Sequence, residues 1–127
     1  MKMALVADDS RAIRGILSRI LVRAGFDVVQ VENGRAGIAL MQQDPRSFSL
    51  VCADWNMPEM NGLEFVKALR SDSRFQNTPV MMITSETHID RMQVALRYGV
   101  SEYVTKPFTE AVILEKLEIL HVAVEKQ

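Results

Sequence analysis

A chain of 127 residues is one domain's worth of polypeptide, and a domain of that size buries roughly two thirds of the surface its unfolded chain exposes. With 48% hydrophobic residues, 24% charged residues and a net charge of −1, it has neither the basic excess of a nucleic-acid binder nor the composition of a disordered chain. Its apolar runs fall far short of a bilayer span or a signal-peptide core, and its one cysteine, Cys52, lies inside such a run as a buried packing residue. A reduced, cytoplasmic protein without membrane insertion is the expectation.

In chain order, Met3 to Ala7 is an apolar run of strand character that ends at Asp8 and Asp9. Ile13, Leu17, Ile20 and Ala24 then recur at helical spacing, and Gly25 stands where a left-handed residue closes a helix. Asp27 to Val31 reads as a second strand and Asn33 to Gln43 as a second helix. Leu50 to Ala53 reads as a third strand ending at Asp54, with a helix over Gly62 to Ser71 behind it. Val80 to Ile83 ends at Thr84 and leads to a helix over His88 to Tyr98. Tyr103 to Thr105 ends at Lys106, and a last helix is predicted over Thr109 to Lys126. Its apolar stripe is Ile113, Leu117, Leu120 and Val124, with Thr109 as N-cap.

Five βα units in succession require right-handed parallel crossovers, and the nearly unbroken apolar first, third and fourth strands suit a sheet covered on both faces. The fold class is therefore α/β, doubly wound around a parallel sheet. No linker, repeat or low-complexity segment interrupts the pattern, so residues 1–127 are expected to form a single domain with no output domain.

In such a sheet ligands bind beyond the carboxyl ends of the strands, where Asp8, Asp9, Asp54, Thr84 and Lys106 would converge. Two unit charges about 4 Å apart repel by about 4 kcal/mol at an effective dielectric of 20, so three grouped carboxylates call for a proton or a cation. A hard divalent ion with oxygen ligands and retained waters, Mg²⁺, satisfies them, and no histidine or cysteine is placed to support zinc. Lys106 then offers a point charge to a phosphoryl oxygen and Thr84 a hydroxyl donor to another.

Each residue also has a plainer reading. Asp8, Asp9 and Ser10 fit as caps of the first helix, Thr84 and Ser85 as caps of the fourth, and Lys106-Pro107 as an ordinary turn. Met57 and Met60 read as packing around Pro58, and His88 and His121 as surface or boundary residues. The joint occurrence of the cluster is what favours function.

Taken in order and spacing, Asp8-Asp9, the run Asp54-Trp55-Asn56-Met57-Pro58 with Asn61-Gly62, Thr84-Ser85, and Tyr103-Val104-Thr105-Lys106-Pro107-Phe108 resemble the motifs of bacterial response-regulator receiver domains. The resemblance spans essentially the whole chain and is greatest to the stand-alone chemotaxis regulators of that family. It implies a flavodoxin-like (βα)₅ three-layer sandwich with strand order 2-1-3-4-5.

By the same resemblance, Asp54 is the phosphoryl acceptor from a histidine kinase, making the chain a phosphoacceptor signalling protein that catalyses its own phosphorylation and dephosphorylation. Asp9, Asp54 and the backbone carbonyl of Asn56 hold Mg²⁺, with Asp8 acting through water. Thr84, Lys106 and Tyr103 form the switch, Asn56 and Glu86 tune dephosphorylation, and Trp55 reports on the site. The output is docking of a downstream protein on the face of helix 4, strand 5 and helix 5, by a monomer that binds no nucleic acid. The helix over His88 to Tyr98 departs from the chemotaxis pattern, which leaves the target open, flagellar motor included.

Three alternatives stand beside this reading. A phosphorelay intermediate would pass the phosphoryl group to a histidine phosphotransfer protein. A Mg²⁺-dependent phosphohydrolase would ordinarily show Asp-x-Asp, where Asn56 stands here. A flavodoxin-like binding module would need a phosphate loop where Asp8-Asp9 lies.

Overall fold

The computed structural model describes residues 2–121. Strands β1 (Lys2–Ala7), β2 (Phe26–Val31), β3 (Phe48–Ala53), β4 (Val80–Thr84) and β5 (Glu102–Thr105) alternate with helices α1 (Arg11–Arg23), α2 (Gly34–Gln43), α3 (Gly62–Ser71), α4 (Ile89–Arg97) and α5 (Glu110–Ile119). The strands form one parallel sheet in the order β2-β1-β3-β4-β5. The expected fold class and strand order are both present.

Alternation along each strand divides the core into two layers, because successive strand side chains point to opposite faces. Ala4, Val6, Leu50, Cys52, Met81, Ile83 and Val104 meet Leu17, Ile20 and Leu21 of α1 and Ile113 and Leu117 of α5 on one face. Leu5, Ala7, Val51, Ala53, Val80 and Met82 meet Met41, Phe65, Val66, Leu69 and Ala95 of α2, α3 and α4 on the other. Burial of an aliphatic or aromatic side chain contributes roughly 1.5–3 kcal/mol, so these layers hold the strand ends rigidly under the site. Cys52 belongs to the first layer, and burial pushes its thiol pKa up to about 12, which leaves it a packing residue.

Helix ends follow local rules. The side chains of Ser10, Asn33, Asn61 and Thr109 accept hydrogen bonds from the backbone of Ile13, Ala36, Glu64 and Val112. Asn61 and Glu64 close a reciprocal capping box, which the Asn-x-x-Glu spacing signals. Gly25, at φ 100°, lies just past the end of α1, as expected of a residue that closes a helix in the left-handed region. The predicted last helix is too long: α5 ends at Ile119, Leu120 caps it, and His121 turns to φ 58°. Residues 122–127, including Val124 and Lys126, lie outside the described residues.

One side chain joins two loops without any sequence cue. The Arg70 guanidinium donates to the carbonyls of Phe75, Thr78 and Gly99 at 2.8, 2.7 and 2.7 Å, and to that of Gln76 at 3.2 Å. It thereby ties the loop before β4 to the turn after α4.

Candidate functional site

Backbone hydrogen bonds continue past the strand ends and hold the site residues at one edge. The Asp8 N–H donates to Val31 at 3.2 Å, the Asp54 N–H to Ala7 at 3.0 Å and the Lys106 N–H to Thr84 at 2.9 Å. Asp8 and Asp54 are nearly buried there, at 1% and 7% exposure, while Asp9 is exposed. Carboxylate oxygens of Asp8, Asp9 and Asp54, one from each, lie within 4.8 Å of one another.

The Lys106 ammonium donates to Asp8 Oδ2 at 2.9 Å and to Asp54 Oδ2 at 3.0 Å. The remaining oxygens have lighter duties: Asp8 Oδ1 accepts from the Ser10 N–H at 2.9 Å and Asp54 Oδ1 from the Asn56 N–H at 3.4 Å. Burial raises the Asp8 pKa above the ordinary carboxylate value, and the bonds from Ser10 and Lys106 only partly oppose it. Burial pulls the other way at Lys106, where the two carboxylate bonds prevail and its pKa rises. The neighbouring Lys106 and Pro107 are joined by a cis peptide bond.

Three clustered carboxylates make an all-oxygen donor set, the kind that suits a hard divalent cation. The set fits Mg²⁺ in kind, and the nearly buried charges of Asp8 and Asp54 explain why a cation is wanted.

Lys106→Ala tests this balance. Without the ammonium, Asp8 and Asp54 are left as buried like charges, so the metal-free protein should lose about 1–3 kcal/mol of stability. Millimolar Mg²⁺ should recover most of that loss, because a ligand that binds the folded state stabilises it by mass action. Thermal melts with EDTA and with Mg²⁺ decide the matter; equal Mg²⁺ shifts in parent and variant would refute it. The sign with pH is also set. Since the Lys106 pKa is raised on folding, its contribution is complete at neutral pH and disappears only as pH climbs through that raised value.

Around this cluster lies a second group of contacts. The Thr84 hydroxyl, fully buried, accepts from the Glu86 N–H at 3.2 Å, and the Tyr103 hydroxyl donates to the Glu86 carbonyl at 2.8 Å. Burial, followed by the charges of Glu86 and Asp54, pushes the Tyr103 pKa up to about 12. The Glu86 carboxylate meets His88 Nδ1 at 2.6 Å and Arg91 Nη1 at 3.6 Å, and His88 is the first cause of its lowered pKa. Trp55, 6% exposed, lies under the Arg91 guanidinium at 5.8 Å from the ring centre.

The structure brings Asp8, Asp9, Asp54 and Lys106 together, with Asn56 exposed beside Asp54. Thr84, Glu86 and Tyr103 form the adjoining group. Of the plainer readings, Ser10 does cap α1, while Asp8 bonds to the Ser10 N–H instead of capping. Thr84 and Ser85 cap nothing in α4, whose N-cap is His88 without a side-chain bond. Met57 and Met60 pack with the core layer of α2, α3 and α4. The sequence reading missed Arg91, whose part depends on a cross-loop meeting with Trp55 and Glu86 that no local pattern signals.

Known proteins agree with this arrangement. The family model described as response regulator receiver domain matches residues 4–118. Chemotaxis protein CheY1 of Helicobacter pylori is 44% identical over 117 residues, covering 91% of this chain and 94% of its own. A chemotaxis protein CheY homolog of Campylobacter jejuni is 41% identical over 115 residues, covering 90% and 88%. Among solved structures, chemotaxis protein CheY4 of Vibrio cholerae superposes with a TM-score of 0.87 at 36% identity, covering 94% of this chain and 98% of that one. Among the described residues, no helix is long and apolar enough to cross a membrane. A parallel sheet in the order 2-1-3-4-5, an aspartate cluster bridged by lysine, and these similarities together place the chain in the response regulator receiver domain family of two-component signalling, similar to CheY chemotaxis proteins.

Proposed function

We propose that the chain is a single-domain response regulator in which Asp54 accepts a phosphoryl group from a phosphohistidine on a histidine kinase. The observation that carries this reading is the Asp54 carboxylate, nearly buried, bonded to Lys106 and adjacent to Asp8 and Asp9. An Asp54 oxygen attacks phosphorus as the bond from phosphorus to the imidazole nitrogen breaks, and the imidazole departs with a proton. Asp9, Asp54 and the Asn56 carbonyl would hold Mg²⁺ directly and Asp8 through water, and the ion when bound neutralises charge on the transferred group. Lys106 then exchanges an Asp54 oxygen for a phosphoryl oxygen, and the Thr84 hydroxyl donates to another.

Signalling follows from those two contacts. A phosphoryl group adds about −1.5 to −2 charges, which draws Thr84 inward and disturbs the backbone of Glu86 that Tyr103 holds. The surface of α4, β5 and α5 changes, and a separate downstream protein docks there on a monomer. Asn56 and Glu86 flank the water that ends the signal.

Incubation with a small phosphoramidate and Mg²⁺ tests the chemistry. One hydroxylamine-labile phosphoryl group per chain is expected, with uptake by Asp9→Asn reduced roughly tenfold or more if a metal ligand is lost. Mapping the group to a serine, threonine or histidine would sink the reading. A second expectation separates making the group from using it: Thr84→Ala should still be phosphorylated, while amide shifts on α4 and β5 lose most of their phosphorylation response. A full response in Thr84→Ala would remove Thr84 from the switch.

A further inference from the structure

Arg91 lies in the first turn of α4, yet its side chain reaches back over the site. Its guanidinium carbon is 5.8 Å from the centre of the Trp55 ring, and Nη1 is 3.6 Å from Glu86 Oε2. Trp55 directly follows Asp54 and Glu86 stands two residues after Thr84, so Arg91 links the loop of the acceptor to the loop of the hydroxyl. Tyr103 registers the same neighbourhood, since Arg91 opposes the upward push that burial, Glu86 and Asp54 exert on its hydroxyl. The Arg91 side chain is 55% exposed, while the Glu86 side chain it faces is 13% exposed.

The geometry points to Arg91 as a positioning residue that, beyond the nearer His88 Nδ1 contact at 2.6 Å, brings a permanent positive charge to the other oxygen of the Glu86 carboxylate, so that anionic phosphodonors can approach Asp54. This rests on the reading of Asp54 as phosphoryl acceptor. A phosphoramidate carries negative charge toward Asp8, Asp9 and Asp54, and a Glu86 without the Arg91 charge would add a fourth carboxylate to its path, bonded only to His88. Repulsion of this kind acts through the field ahead of contact, so it lowers the rate of approach and is screened by salt. An ordinary packing contact has no such dependence.

The test times phosphoryl uptake from a small phosphoramidate in saturating Mg²⁺, at low and at high ionic strength. It compares the parent with Arg91→Gln, Arg91→Lys, Glu86→Gln and the double variant Glu86→Gln/Arg91→Gln. Arg91→Gln should be about threefold to tenfold slower at low salt. The gap should close toward 1 M salt, where the screening length is about 3 Å. Arg91→Lys should restore most of the rate, and the cost of Arg91→Gln should shrink once Glu86 is glutamine. Equal rates at low salt, a deficit indifferent to salt, or a deficit undiminished without the Glu86 charge would each overturn the proposal. Failure of the parent itself to take up a phosphoryl group would instead strike down the reading of Asp54, and Arg91's role with it.

Discussion

Asp54→Asn should take up no hydroxylamine-labile phosphoryl group, a loss on the order of 10³-fold or more in rate, while remaining folded. An amide oxygen is a poor nucleophile toward phosphorus, and removal of a covalent catalyst's attacking group costs rate on that scale. Folding should survive because Lys106 keeps its 2.9 Å bond to Asp8, and the charge of Asp54 is one of the causes that raise the Asp8 pKa. The metal-free variant should therefore melt no lower than the parent, since one of three clustered carboxylates is gone. Mass spectrometry after incubation with the donor and a thermal melt check both halves. Phosphoryl uptake by Asp54→Asn at the parental rate would reassign the acceptor.

Gly62→Ala should be the most damaging single methyl group near the site. A Cβ at residue 62 would lie 2.2 Å from the Asp54 carbonyl oxygen and 2.9 Å from both the Asp54 carbonyl carbon and Trp55 Cα, all of them backbone atoms. No rotamer change relieves that clash. The loop between β3 and α3 must move, although the Gly62 N–H donates to Trp55 at 2.8 Å and the Asn61 and Glu64 capping box holds the helix start in place. Overpacking ordinarily costs about 1–3 kcal/mol. With backbone as the obstacle the upper end is expected, a melting temperature lower by roughly 10 °C. Uptake should slow as well, because the displaced residues carry Asp54. A melt within about 2 °C of the parent, together with parental uptake, would show that the loop has slack.

Some of the architecture was legible before any coordinates. The apolar runs before Asp8, Asp54, Thr84 and Lys106 marked where strands end, and parallel pairing then brings those ends to one edge. Thr109 caps as its residue type suggests, and Gly25 has the positive φ expected past a helix. Boundaries were less legible: β3 begins at Phe48, two residues before its expected start, because pairing with β1 extends beyond the purely apolar run. The last helix was extended along an apolar stripe, but periodicity tells which side a helix would bury and carries no signal for where the backbone leaves it.

The α/β class, the alternation of strand and helix, and the polar residues that follow the strands can be read from the residues alone, because these depend on local periodicity and on the short reach of capping side chains. That Lys106 stands between Asp8 and Asp54, that Tyr103 holds the Glu86 carbonyl and that Arg91 closes over Trp55 emerges from the folded chain. Those meetings join residues up to 98 positions apart. Their geometry is fixed by strand register and helix packing, which burial and backbone hydrogen bonding set for the domain as a whole.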